Sequence, residues 1–182
     1  MRVFVVSTDY CGDVTFAKAC AHATNYTAGH QTGLRNHYSL TYPDDHIEVD
    51  SRLAWFLGPL AESYPREVYW VHLCRDALAT ARSFERHGDM GILAAYRHGI
   101  KGGACDCVPR EARSLLRTVT ANIRVFLARQ AHATIFIERA REEFPAIWKA
   151  IGAAGDLAAA LQEFDASDYH LLTTRHSPLT TP

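Results

Sequence analysis

Neither sign of charge prevails in this chain: 19 lysines and arginines face 20 acidic residues, a formal net charge of −1 with histidine neutral. No global basic field exists to hold nucleic acid, so any anion site must be local. Apolar runs long enough to span a bilayer are missing too. The run Met1-Arg2-Val3-Phe4-Val5-Val6-Ser7 is too short in its apolar part for a secretory signal and reads as a strand, so a cytoplasmic protein is expected. Cysteine is sparse, five residues (Cys11, Cys20, Cys74, Cys105, Cys107) without disulfide-framework spacing, which suits a reducing compartment. Cys105-Asp106-Cys107 invites a zinc reading. A tetrahedral site needs two further ligands, no second pair at zinc-finger spacing exists, and no metal is expected.

What is present fits a globular protein. The 182 residues are 48% hydrophobic and 21% charged, enough for one domain with a substantial core and no staples. Ten histidines leave room for a gain of positive charge on acidification. There is no repeat and no low-complexity block; helical and strand periodicities alternate instead.

Arg2 to Ser7 is a short β-branched run, and Val14 to Ala23 a small-residue helical stretch behind Gly12 and Asp13. Residues 24–46 carry no clear period and read as a long, functional loop. His46 to Val49 reads as a short strand. Asp50 or Ser51 can cap a helix through Leu53, Trp55, Phe56, Leu57 and Leu60 that Pro65 ends. Glu67 to Cys74 is the strongest strand pattern, and Asp76 opens a helix to about His87, followed by helical Met90 to Arg97. Glycines make 99–108 a loop, Pro109 opens a long helix to about Ala131, and Thr134 to Glu138 is a further strand. Helices over Arg141 to Ile151 and Asp156 to Phe164 close the pattern, giving one domain over 1–164 and a loosely held tail over 165–182. Strands separated by helices predict an α/β fold, a mostly parallel sheet with helices on both faces and ligands at the carboxyl ends of its strands.

Two such ends stand out. Ser7-Thr8-Asp9-Tyr10-Cys11-Gly12-Asp13-Val14-Thr15 joins strand to helix and aims backbone N–H groups at whatever sits above, as a phosphate requires. It has no Gly-x-x-x-x-Gly-Lys-Ser/Thr pattern, and a plain turn capped by Asp13 is the alternative. At the second, Arg75 ends the strongest strand and Ser83 lies about two helical turns on, at nearly the same angle as the helix start. A guanidinium fork and a hydroxyl so placed can share one phosphate; the alternative is Arg75 paired with Asp76 and a solvated serine.

Arg75 and Ser83 at that interval, after a strand ending in Val71-His72-Leu73, resemble the 3′-phosphate motif of sulfotransferases that use 3′-phosphoadenosine-5′-phosphosulfate (PAPS). The turn with Cys11-Gly12 resembles the 5′-phosphosulfate loop, and segments in the same order over about residues 2–164 are similar to the rest of the domain. The resemblance implies a P-loop-like fold and sulfuryl transfer from PAPS to a hydroxyl or amine of a small-molecule or carbohydrate acceptor, leaving adenosine 3′,5′-bisphosphate. It implies Arg75 and Ser83 at the 3′-phosphate, and Cys11, Gly12, Asp13, Val14 and Thr15 at the phosphosulfate. It also implies His30 as the base, with His37, His46 and Glu48 in reserve.

The chain departs from the family where Tyr10 stands at the loop's usual basic position and Asp13-Val14 at its threonines. An acid beside a phosphosulfate repels it. Thr15 and Lys18 are the nearest substitutes, and Arg175 in the tail is the nearest match to a C-terminal cofactor loop. Two alternatives follow: a catalytically impaired nucleotide- or partner-binding protein of the same fold, and a nucleotide or small-molecule kinase, against which the missing Gly-Lys-Ser/Thr argues. Gln31, beside His30, cannot deprotonate an acceptor. His72, Trp55, Trp70 and Trp148 read as core, the arginines at 110, 113, 117 and 124 as a solvated helix face, and segments 24–46 and 98–108 as the acceptor pocket.

Overall fold

The structure, a computed structural model, describes residues 1–33, 40–87, 91–103 and 107–165. Five parallel strands, β1 (Arg2–Val6), β2 (Thr27–His30), β3 (His46–Val49), β4 (Val68–Cys74) and β5 (His132–Phe136), lie in the order β2-β3-β1-β4-β5. The helices are α1 (Asp13–Cys20), α2 (Leu57–Ser63), α3 (Ala77–His87), α4 (Gly91–Ala94), α5 (Val108–Leu127), α6 (Ala140–Ala150) and α7 (Leu157–Asp165).

Strand alternation divides the core into two layers. Val3 and Val5 of β1, with Ile47, Val49, Val71 and Leu73, pack under α1, α6 and α7 through Phe16, Phe144, Trp148 and Phe164. Phe4, Val6 and Trp70 face the opposite layer, filled by Leu57, Leu60, Phe84, Leu93, Leu115, Val119 and Ile123. With both faces of the sheet covered, period-two alternation places apolar side chains on each side of β1, whereas on β3 the buried His46 and Glu48 alternate with Ile47 and Val49. The expected α/β fold with helices on both faces is therefore present. The central strand is β1, and β4, which carries Arg75, lies beside it. After β3 the chain crosses to the other side of β1, making the carboxyl end of β1 the switch point where such sheets bind ligands.

Four local expectations are corrected. Segment 24–46 contains an edge strand, β2, whose Thr-Ala-Gly-His composition lacks the β-branched alternation that marks a strand. The helix expected after Asp50 is split: Asp50 accepts Arg52 N–H at 2.9 Å and caps a 3₁₀ turn over Ser51–Trp55, and α2 restarts at Leu57. Pro59, which has no N–H for the Trp55 carbonyl, forbids one continuous helix. Beyond α4 a wider turn over Ala95–Ile100 extends the helical path into the expected glycine loop, which starts at Lys101 with Gly102 and Gly103 left-handed at φ 73° and 74°. Helix α5 ends at Leu127 because Ala131 already accepts Trp70 N–H as part of the sheet.

His37, Asp106, Cys105 and the tail from 166, with Arg175, lie outside the described residues; Asp165 belongs to α7 and pairs with Arg141. Among the described residues no group of histidine, cysteine and acidic side chains could hold a metal ion, and no helix is long and apolar enough to cross a membrane.

Candidate functional site

The turn after β1 is built from inward-pointing polar groups. Ser7, fully buried, donates from Oγ to Asp13 Oδ1 at 2.7 Å and accepts Asp9 N–H at 3.2 Å. Asp9, Tyr10 and Gly12 are left-handed, at φ 76°, 55° and 93°. Such a backbone suits glycine and is tolerated by aspartate, but costs about 1–2 kcal/mol in tyrosine. Ring contacts offset that cost: Tyr10 stacks on His87 at 4.6 Å and meets the edge of Phe84 at 4.7 Å. Gly12 is the N-cap of α1 and supplies no side-chain cap, so the positive end of the helix opens toward the turn.

At the end of β4, Arg75 Nη1 donates to the Tyr10 carbonyl at 3.0 Å and to Ser83 Oγ at 3.3 Å. The carboxyl ends of the neighbouring strands β1 and β4 are thus tied together by one guanidinium. Ser83 is buried and donates to Ala79 O at 3.2 Å, while Arg86 Nη2 donates to the same Oγ at 2.9 Å. Asp76 does not pair with Arg75; it caps α3 by accepting Ala79 N–H at 2.8 Å. Sequence reading missed Arg86, whose signal was its place three residues beyond Ser83, one turn along the same helix face.

A hollow of about 310 Å³ opens over these groups, lined by Gly12, Asp13, Val14, His30 and Arg75 together with Asp9, Tyr10 and Gln31.

 Every described residue assigned to the donor site except Cys11, Thr15 and Ser83 reaches this hollow. Cys11 is buried, and burial pushes its thiol up to about 12, so it carries no charge and can offer only its backbone. Thr15 is half-buried on α1, Val14 is 52% exposed, and Lys18 is exposed in the last turn of α1, away from the loop. Ser83 is buried and does not line the hollow, and its Oγ accepts from both Arg75 and Arg86. Of the candidate bases, His30 reaches the hollow from the end of β2. His46 and Glu48 do not: they bond to each other at 2.9 Å, and their remaining atoms go to Thr27 and Thr32.

Asp13 is turned inward to Ser7. Burial pushes its carboxyl up to about 6, against the opposing hydrogen bond from Ser7. A folded-state value above the usual 3.8 means that the native protein binds the extra proton between those limits, so stability falls as pH rises through that window. Asp13→Asn, which can still accept from Ser7, is expected to stabilise the protein by about 2 kcal/mol at pH 8 and by progressively less toward pH 4. Urea unfolding at the two pH values checks this.

A second cavity, of about 330 Å³, adjoins the first and is lined by Ser7, Thr8, Ser51, Arg52 and Trp55 on one side and Ile92, Ala95, Leu115 and Val119 on the other. Asp9 and Gln31 line both cavities. Among the described residues of segments 24–46 and 98–108, only Gln31 lines this cavity. Trp55, expected in the core, is 37% exposed at this cavity, whereas Trp70 and Trp148 are core. His72 is buried, and burial, with Arg124 and His132 nearby, lowers it to about 4 and keeps it neutral.

A parallel sheet with a hollow of about 310 Å³ at its switch point, a left-handed turn into an uncapped helix, and an arginine at the next strand end define a P-loop-like α/β protein. Among solved structures, the chain is similar to the crystal structure of a sulfotransferase from Alicyclobacillus acidocaldarius, with a TM-score of 0.51 and 13% identity over 90% of this chain and 94% of that one. At that identity the likeness establishes the shared fold. No family model and no curated protein matches the sequence.

Proposed function

We propose that the protein is a sulfotransferase that takes the sulfuryl group from PAPS and passes it to a hydroxyl or amine of a small acceptor. The observation that carries this reading is the meeting of Arg75 with buried Ser83 and with the Tyr10 carbonyl, beside the open end of α1. Two guanidiniums on one hydroxyl suit a doubly charged phosphate, Arg75 lining the hollow and Arg86 donating to the same Ser83 Oγ. The backbone at Gly12 to Thr15 would face the phosphosulfate through N–H groups and the helix dipole, without a basic side chain from the loop. When bound, PAPS supplies a sulfuryl group on a phosphate leaving group. The chain's part is to hold the phosphates, seat the acceptor in line and receive its proton. The four described cysteines are free thiols, which fits action in the cytosol.

A second reading keeps the nucleotide and loses the chemistry, and Tyr10 and Asp13 in the loop favour it, since neither neutralises a leaving phosphate. Calorimetry with adenosine 3′,5′-bisphosphate and a sulfuryl-transfer assay separate the two. Micromolar binding with turnover supports the transferase, binding without turnover the second reading, and no binding overturns both.

A further inference from the structure

The wall between the two cavities holds one group able to accept a proton from a molecule in the second cavity. Of the described residues lining that cavity, only Asp9 and Arg52 titrate, and an arginine side chain is never a base at ordinary pH. Arg52 is moreover forked onto fully buried Asp50, at 2.6, 2.9 and 3.2 Å, which cancels its charge toward the cavity. His30 lines the first hollow but not the second, and Gln31, which lines both, has no basic atom.

Asp9 is positioned for this role. Its Oδ1 accepts the Tyr10 N–H at 2.9 Å, and Oδ2 has no hydrogen-bond partner among the described residues. Its left-handed backbone, φ 76°, holds it at the shared wall. Burial raises its carboxyl, Asp50 adds to that, and the Tyr10 N–H, His30 and His87 oppose it.

The rest of the cavity selects the acceptor. Its far side is apolar, from Ile92, Ala95, Leu115 and Val119, and Trp55 adds apolar surface opposite. Its volume of about 330 Å³ is at the small end of ligand sites, and a carboxylate whose cationic neighbour in the lining, Arg52, is already paired with Asp50 disfavours anions. We propose that Asp9 takes the proton from the hydroxyl of a small, neutral, largely apolar alcohol or phenol seated in this cavity. The proposal rests on the sulfuryl-transfer reading. As the acceptor oxygen bonds to sulfur, the sulfur–oxygen bond to the donor phosphate breaks, its electron pair leaves with that phosphate, and the acceptor proton moves to Asp9.

The test uses the full chain with 2-naphthol as acceptor and PAPS as donor. Asp9→Asn and Asp9→Gly both tolerate a left-handed backbone, so each removes the carboxylate while keeping the turn. Both are expected to bind adenosine 3′,5′-bisphosphate within about threefold of wild type and to lose at least about a hundredfold in kcat. Formate is expected to restore part of the activity of Asp9→Gly, which a purely structural role would not allow. Quenching of tryptophan fluorescence by 2-naphthol, absent in Trp55→Phe, reports acceptor binding independently of turnover; N-acetylglucosamine 6-sulfate, an anionic carbohydrate, is expected not to quench. Wild-type turnover with an undiminished kcat in Asp9→Asn overturns the Asp9 assignment alone. Quenching by the anionic sugar but not by naphthol overturns the acceptor class. A wild-type protein that binds no bisphosphate sinks the sulfuryl-transfer reading and this proposal with it.

Discussion

Arg75→Ala is expected to weaken binding of adenosine 3′,5′-bisphosphate at least about a hundredfold, the cost of removing one side of a desolvated charge pair. Calorimetry against wild type measures it; retained micromolar affinity would remove Arg75 from the donor site. The size of the effect follows from two losses at once. The phosphate loses its guanidinium at the hollow, and the Tyr10 carbonyl loses the 3.0 Å bond that fixes the left-handed turn to β4. Arg75→Lys separates these losses. It keeps the charge but not the fork, so binding is expected to recover only in part. Arg86→Ala, which removes the second guanidinium from Ser83 while leaving the turn tied, is expected to lie between wild type and Arg75→Ala.

The residues legible in the sequence are those whose placement is local. An interval of eight along one helix brings Ser83 back over its start whatever the rest of the fold does, so the meeting with Arg75 could be read from spacing. The apolar runs of β1 and β4 and the caps at Asp50 and Asp76 are legible for the same reason. What escaped depends on distant segments. β2 is a strand because β3 lies beside it, not because Thr-Ala-Gly-His favours one. The second cavity joins the turn after β1, the 3₁₀ turn after β3, α4 and α5, segments more than a hundred residues apart at the extremes, and no period in the chain encodes their meeting. Asp9 reads as an ordinary turn residue until both cavities are seen to share it.

Glu48→Ala is expected to destabilise the protein by about 3 kcal/mol, the range for stripping a buried charge from its partners. Glu48 is fully buried on β3 and accepts from His46 Nε2 at 2.9 Å, from Thr32 N–H at 2.7 Å and from Thr32 Oγ1. Burial alone would raise its carboxyl, but the hydrogen bonds from His46 and Thr32 prevail and hold it below the usual 4.5. A depressed native value contributes stability above the unfolded-state value and loses it as pH falls through the native one. The gap between wild type and Glu48→Gln, measured by urea unfolding, is therefore expected to be widest near pH 7 and to close on acidification below about pH 4. Asp13 slopes the opposite way, so its variant and that of Glu48 should tilt the stability profile in opposite senses, and parallel profiles would refute both assignments. The same carboxylate also carries function at one remove. Thr32 follows Gln31, which lines both cavities and whose N–H is held by Val49 O at 3.2 Å. Releasing Thr32 loosens that wall, so on the proposed function Glu48→Gln is expected to raise the KM for 2-naphthol several-fold while leaving bisphosphate affinity, which that proposal assigns to Arg75, within about twofold.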